Sequence, residues 1–204
     1  FFVPSNQLFD NTGVTISASI SDKAGNPVTS DIVKRVVDKN LPISEAVIDD
    51  YYGPKSLPEI KGTASDTVSN ITNVAFSLRR NSDGKYWIAG NIWMNISTPL
   101  HGTSGTDNWT YTRGLPTLKN NVTYTVTPYA WDQVHLATQA GISDSFIWDN
   151  ELPQDPNSFR AYPDANIPTN DNIVEIYFSG ESDNVSGLAG FYYSFSNTKD
   201  TPDS

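Results

Sequence analysis

The sequence predicts an all-β fold made of antiparallel β-sandwiches, and three observations lead to this prediction. Apolar and polar residues alternate with a period of two in several short runs, as expected of strands that have one buried face. Turn-forming residues such as those at 24–27 and 81–84 separate these runs. The hydrophobic content of 37% and aromatic content of 12% fit a folded chain with a real core.

The alternating runs are predicted to be individual strands. They lie at residues 14–20, 74–78, 122–126, 174–178 and 191–195. Residues 30–37 fit a helical turn or a closing strand equally well, because the pairs Ile32-Val33 and Val36-Val37 satisfy both patterns. Short strands joined by frequent turns are typical of sandwiches rather than of parallel sheets with crossover helices.

Stretches of the chain repeat one another at a spacing of slightly more than one hundred residues. Residues 14–22 read like residues 122–132, an offset of 122 − 14 = 108. Glu59-Ile60 recurs as Glu175-Ile176, and Ser65-Asp66 recurs as Ser182-Asp183, with offsets of 116 and 117. A regular spacing of this size indicates a tandem array of modules.

The repeats divide the chain into one complete module and two partial ones. Residues 1–40 are predicted to be the C-terminal half of a module, 41–152 a complete module, and 153–204 the N-terminal half of another. The connectors near 39–42 and 150–156 each bring an acidic residue, Asn and Pro together, which suits short extended links. We interpret the chain as a segment of a longer array. The alternative is that 153–204 of one subunit completes 1–40 of the next.

Composition excludes several functional classes. The formal net charge of −10 disfavours binding to nucleic acid, whose phosphates would be repelled. The chain has no cysteine, which rules out disulfides and sulfur-ligated zinc. No apolar run approaches the roughly 18 residues needed for a membrane-spanning helix, so insertion into a membrane by this segment is not expected.

Several motifs resemble those of known repeat families. Residues 59–66, 83–87, 108–111 and 121–126 look like the immunoglobulin-like repeats of large bacterial surface proteins. Leu118 followed six residues later by Tyr124 is similar to the tyrosine corner of fibronectin type III domains, although Ile16 stands at the equivalent position of the first half-module. The resemblance implies tandem immunoglobulin-like antiparallel β-sandwiches with an extracellular, structural or adhesive role.

Catalytic signals are weak. His101 lies in a glycine-rich loop and His135 follows Trp131-Asp132, but neither is accompanied by a Gly-x-Ser-x-Gly nucleophile motif. The carboxylate pairs Asp49-Asp50 and Glu181/Asp183 fall in predicted turns, where acids are ordinarily solvated. The sequence therefore predicts a protein that is not an enzyme and that requires no cofactor.

Calcium is the one metal that the sequence suggests. Hard cations bind oxygen ligands, and clusters of acids at module joints can stiffen an array. The candidate ligands lie at or near the two connectors: Asp38, Asp149, Glu151 and Asp183. The regular spacing of a helix-loop-helix calcium loop is absent, so ordinary solvated turns remain the competing interpretation.

Aromatic residues in the middle module support an alternative function. Planar rings on the surface of a β-sandwich can stack on sugars, as in carbohydrate-binding modules, and the same rings can instead fill the core. The candidates for this site are Tyr86, Trp87, Trp93 and Trp109. Their burial would discriminate the two interpretations.

Five Asn-x-Ser/Thr sequons occur, a number close to that expected by chance from the composition. Their asparagines are Asn70, Asn95, Asn108, Asn121 and Asn184.

The overall expectation is a non-enzymatic extracellular or cell-surface segment that spaces or displays other parts of a surface protein or filament. Its expected partners are neighbouring repeat modules or identical subunits.

Overall fold

Among the residues that the computed structural model describes, β-strands are the regular secondary structure and loops connect them. The structure describes residues 9–56, 58–134, 140–162, 170 and 175–193, and no helix occurs among them. The all-β prediction is therefore confirmed for this part of the chain. Residues 191–193, predicted to begin a strand, are irregular. Val174, 194–195 and His135 lie outside the described residues.

Four short strands precede the first predicted connector. They are β1 (Thr12–Ile16), β2 (Ser19–Ser21), β3 (Pro27–Thr29) and β4 (Val33–Val37). β1 pairs with β4 and β2 pairs with β3, both antiparallel. Residues 30–37, which fitted either a helical turn or a strand, thus contain a strand. The flanking strands, as we call β1–β4, are each five residues or shorter.

Ten strands follow between the two predicted connectors. They are β5 (Ile43–Ala46), β6 (Tyr51–Tyr52), β7 (Ile60–Ser65), β8 (Ile71–Arg80), β9 (Tyr86–Ala89), β10 (Ile92–Met94), β11 (His101–Gly102), β12 (Asn108–Tyr111), β13 (Val122–Asp132) and β14 (Asp144–Trp148). A last described pair, β15 (Ser158–Tyr162) and β16 (Glu175–Ser179), is antiparallel and follows the second connector.

β5 to β14 form two sheets with a shared core. The larger sheet has the order β10-β9-β8-β13-β14-β6, with β11 also pairing with β8, and the smaller sheet has the order β12-β7-β5. β6 runs parallel to β14, and the other pairings are antiparallel. Both sheets contribute to one cluster of buried apolar residues. This arrangement is consistent with a β-sandwich.

β13 shows most clearly how alternation produces this core. Every second residue from Tyr124 to Asp132 is buried, and the residues between them are half-buried. Tyr124, Val126 and Ala130 are 0% exposed and belong to the core cluster. Because successive side chains of a strand point to opposite faces, this period-two pattern places one face of β13 inside the sandwich.

The entry to β13 is held by a buried tyrosine. The hydroxyl of Tyr124 accepts a hydrogen bond from the backbone N–H of Lys119, at 2.8 Å. The ring stacks on Phe146 with centroids 5.5 Å apart. This contact ties the loop before β13 to the core, as a tyrosine corner does in sandwich domains. Membership of a particular repeat family stays a prediction.

Gly62 allows β12 and β7 to pack closely. It pairs with Trp109 across these strands, and a Cβ atom at position 62 would lie 2.5 Å from Trp109 Cζ2. It would also collide with the backbone oxygen of Glu45 on β5. The largest buried side chain of the core therefore requires that its neighbour has no side chain.

The strands outside the sandwich leave apolar side chains exposed. Ile16 is 54% exposed and Ile20 is 70% exposed, and Val36 on β4 is also exposed. Beyond the second connector, Tyr162 and Tyr193 are exposed as well. None of the described residues before the first connector is buried, whereas the sandwich contains a cluster of buried apolar side chains. The three-part division of the chain itself remains a prediction.

Candidate functional site

Two of the four aromatic residues predicted to bind sugar are core residues. Trp109 is 0% exposed and its indole N–H donates to the backbone oxygen of Thr63, at 3.1 Å. Trp87 is 3% exposed and its indole N–H donates to the backbone oxygen of Gly90, at 2.8 Å. Because their ring faces are taken up by packing, these two tryptophans present no surface on which a sugar could stack.

The other two candidates are half-buried. Trp93 lies between Arg80 and Tyr124: the guanidinium carbon is 4.6 Å from one ring centroid and the tyrosine ring centroid is 5.6 Å away. Tyr86, on β9, pairs with Met94 on β10. Trp87 and Trp93 therefore join β9 and β10 to the core, and Trp109 belongs to the same core from β12.

His101 is also engaged in packing. Its ring stacks on Trp87 with centroids 4.0 Å apart, and its Nε2 lies 3.0 Å from the backbone oxygen of Trp87. Burial lowers the pKa of His101, and the hydrogen bond to that oxygen opposes the shift to a smaller extent. The ring of His101 is thus held in place by stacking and by this hydrogen bond. That the protein is not an enzyme remains a prediction.

Three aspartates meet at the end of the sandwich that adjoins the first connector. Asp38 follows β4, Asp66 follows β7, and Asp132 is the last residue of β13. One carboxylate oxygen from each lies within 4.8 Å of the other two. We call these three residues the acidic cluster. It joins the first connector to two strand ends of the sandwich.

Backbone groups fix the orientation of each carboxylate in the acidic cluster. Asp66 Oδ1 accepts hydrogen bonds from the N–H groups of Val68 and Ser69, at 2.8 and 2.9 Å. Asp132 Oδ1 accepts one from Val134, at 2.9 Å. Asp38 Oδ1 likewise accepts one from Asn40, at 3.1 Å. With one oxygen of each group held by a local turn, the carboxylates cannot easily rotate apart.

The second oxygens of two cluster members are buried without a donor. Oδ2 of Asp38 and Oδ2 of Asp66 have essentially no accessible surface and accept no hydrogen bond. Asp132 is 0% exposed. Like charges at this separation repel by roughly 3 kcal/mol per pair at an effective dielectric constant of about 20. A hard divalent cation would satisfy the buried oxygens and cancel this repulsion.

Only one of the four predicted metal ligands belongs to the acidic cluster. Asp38 was predicted, whereas Asp66 and Asp132 were not. Asp66 and Asp132 share one sequence feature, a Val two positions later. This feature does not identify the cluster, because Asp183 has it as well and lies elsewhere in the chain.

The remaining predicted ligands accept hydrogen bonds near the second connector. Asp149 Oδ1 accepts a hydrogen bond from the N–H of Glu151, and Glu151 Oε1 accepts one from the side-chain amide of Asn120. Asp183 Oδ1 accepts bonds from three successive backbone N–H groups, and these bonds lower its pKa. The metal-ligand group found among the described residues does not include these three acids.

A cavity opens at the opposite end of the sandwich, beside the second connector. Its volume is about 660 Å³. The loop before β7, the loop between β12 and β13, and the end of β14 supply its walls. Tyr111, Leu115 and Trp148 provide half-buried apolar surface, and Arg113 and Asn150 lie at its exposed side. This volume falls within the range of about 300–1,000 Å³ that is usual for ligand pockets.

Comparison with known proteins adds no family assignment. No protein-family description matches the chain, and no curated protein matches it. Within the described residues, no helix has the length and apolar character needed to cross a membrane.

Proposed function

We propose that this chain is a non-enzymatic extracellular segment of tandem immunoglobulin-like β-sandwiches. Its role is structural or adhesive: it spaces or displays other parts of a surface protein or filament. The buried positions of Trp87 and Trp109 support this role over the predicted sugar site, because these rings stabilise the fold instead of forming a surface.

The observation that carries the proposal is the contrast between the sandwich and the strands beside it. Apolar side chains such as Ile20 on β2 and Tyr162 on β15 are 70% and 67% exposed. Exposed apolar faces next to a well-packed unit indicate surfaces that a neighbour covers. Neighbouring repeat modules, or identical subunits, are the partners that such faces fit.

We also propose that the acidic cluster binds Ca²⁺ and stiffens the first joint. The three carboxylates would supply oxygen ligands, and water would complete the six to eight that Ca²⁺ takes. The connector is already tied to the sandwich by the side-chain amide of Asn40, which donates to Thr67 Oγ1 at 2.9 Å. A cation at this place would add a link between the same two parts of the chain.

Surface labelling tests the extracellular role. An antibody raised against residues 41–152 should label intact cells of the source organism, and brief protease treatment of those cells should remove the signal. Labelling seen only after the cells are permeabilised would contradict the proposal.

Sedimentation of the 204-residue chain across a range of concentrations distinguishes the two kinds of partner. Self-association is expected if identical subunits cover the exposed faces, and a monomer is expected if neighbouring modules cover them.

Thermal unfolding with and without Ca²⁺ tests the cation site. Ca²⁺ at about one hundred times its Kd should stabilise the chain by about 2.7 kcal/mol. Asp66→Asn should abolish this gain, because it retains the turn-capping oxygen and removes the charge. The same variant should be at least as stable as the parent chain in EDTA, since repulsion in the cluster falls.

Asp183→Asn is the matched control for the cation experiment. This residue also caps a turn through Oδ1, and it lies outside the acidic cluster. The control should respond to Ca²⁺ as the parent chain does. Equal melting temperatures of the parent chain in Ca²⁺ and in EDTA would rule out the site.

A further inference from the structure

The cavity beside the second connector combines two kinds of surface. The rings of Tyr111 and Trp148 and the side chains of Leu115 and Leu118 form an apolar wall, to which prolines 54, 58 and 116 add. Trp148 and Tyr111 are only partly buried, although both pack against the core. Part of each ring is therefore accessible from the cavity side of the sandwich.

Planar polar groups stand at the rim of this apolar wall. Arg113 and Asn150 line the cavity and are exposed, and neither side chain makes a hydrogen bond or ion pair with the rest of the described chain. Glu59, also at the rim, forms an exposed ion pair with Lys61 at 3.1 Å. A guanidinium offers five donors in a fixed plane, and an amide offers two donors and an acceptor.

We propose that this cavity binds a saccharide. A sugar ring has an apolar C–H face that packs on an aromatic ring, and its edge carries neighbouring hydroxyls that both donate and accept. The arrangement of Trp148 and Tyr111 beside Arg113 and Asn150 matches these two requirements. The residues differ entirely from the four aromatic candidates predicted from sequence, and the binding does not depend on the structural role proposed above.

Other small ligands fit these walls less well. A nucleotide would place phosphate groups against a chain of net charge −10. A wholly apolar ligand would make no use of the unengaged groups of Arg113 and Asn150. A saccharide uses both the rings and the rim, and an acidic sugar would gain a further contact with the guanidinium of Arg113.

Titration of the complete chain with three defined probes tests the proposal. The probes are cellotetraose, an N-acetylglucosamine tetramer and a tetragalacturonate, followed by NMR of the five tryptophan indole N–H groups. At least one probe should shift the signal of Trp148, which the Trp148→Phe variant identifies by its absence. A response to the uronate alone would specify an acidic sugar as the ligand class.

Arg113→Ala should weaken the binding of the responding probe about tenfold, the loss of one charge-assisted hydrogen bond. Arg35→Ala is the matched control, because Arg35 is exposed on β4 and does not line this cavity. Both variants should melt at the temperature of the parent chain. The proposal is overturned if no probe binds, if Arg113→Ala leaves affinity unchanged, or if binding shifts the signals of other tryptophans and not that of Trp148.

Discussion

Two stretches that resemble each other in sequence differ in structure. Residues 122–132 form the single strand β13, whereas residues 14–22 are divided between β1 and β2. Tyr124 is 0% exposed, and Ile16, its counterpart at the offset of 108, is 54% exposed. β13 lies between β8 and β14, while β1 pairs only with β4 in the part of the chain that the structure describes. The same alternation gives a core strand in one place and an exposed strand in the other.

This difference teaches that alternation specifies a strand and its two faces, but not what covers them. Burial in β13 comes from the opposite sheet, which contributes Ile60, Ala64 and Trp109 to the same cluster. No opposite sheet covers the exposed residues of β1 and β4 among the described residues. Substitutions in β13 are therefore expected to lower the free energy of unfolding much more than substitutions in β1 and β2.

The largest expected effect is at the aligned pair of positions itself. Tyr124→Ala should lower the free energy of unfolding by about 3–5 kcal/mol, because it removes a fully buried ring. Ile16→Ala should cost less than about 1 kcal/mol, because that side chain is largely exposed. Urea unfolding of both variants measures the difference. Equal losses would show that β1 is as well buried as β13 in solution.

An ion pair next to β13 should make the middle sandwich sensitive to acid. Arg80 donates to Asp83 through Nε at 3.0 Å and Nη2 at 2.7 Å, and this pairing lowers the pKa of Asp83 to about 2. A lowered carboxyl pKa stabilises the fold above pH ~4, and this contribution is lost as the pH falls towards about 2.

Asp83→Asn should therefore cost about 1 kcal/mol at pH 7, a value that allows for the partial exposure of Asp83 and the burial of Arg80. The difference in free energy of unfolding between the variant and the parent chain should disappear near pH 2. Denaturant curves at the two pH values measure it. A gap that persists unchanged in acid would mean that the charge of Asp83 is not responsible.

A smaller effect is expected from the hydroxyl of Tyr124. Tyr124→Phe keeps the ring in the core and removes the acceptor for the N–H of Lys119, so the expected loss is about 1 kcal/mol. Amide hydrogen exchange at Lys119 should accelerate in the variant. Unchanged exchange would indicate that the loop before β13 is held by other contacts.

The smallest effect is expected in the flanking strands. Ile20→Ser should change the free energy of unfolding by less than about 0.5 kcal/mol, because Ile20 is 70% exposed. If a neighbour covers this face, the same variant should reduce association of the chain at high concentration. A large loss of stability in the isolated chain would contradict the structural contrast.

Sequence reasoning predicted the strand content because alternation and turns are local signals. The alternating run at 74–78 lies within β8, and the run at 122–126 opens β13. Tyr124 was singled out by its spacing from Leu118, and its hydroxyl bonds to the backbone of that loop. These features depend on residues close together in the chain, so a single sequence carries them.

The candidate sites depend on long-range packing, which the sequence carries only weakly. The acidic cluster combines residues 38, 66 and 132, and their meeting follows from the order of strands in two sheets. The sequence alone could not predict whether Trp87 or Trp148 is the more exposed, since both lie in strands. The first is buried beside His101 and the second lines the cavity.

Gly62 and Trp109 form a mutually dependent pair, since the indole fills the space that a Cβ at position 62 would occupy. Any true copy of this unit should carry both residues or neither, which gives a stricter criterion for recognising related modules than period-two alternation. At the offset of 116, position 62 corresponds to position 62 + 116 = 178, which is Phe178 and not glycine. The ring centroid of Phe178 lies 4.3 Å from that of Phe191. A module repeated at this offset would therefore pack its core differently from β5–β14 at this position. Within β5–β14, substitutions at positions 62 and 109 should prove tolerable only in combination.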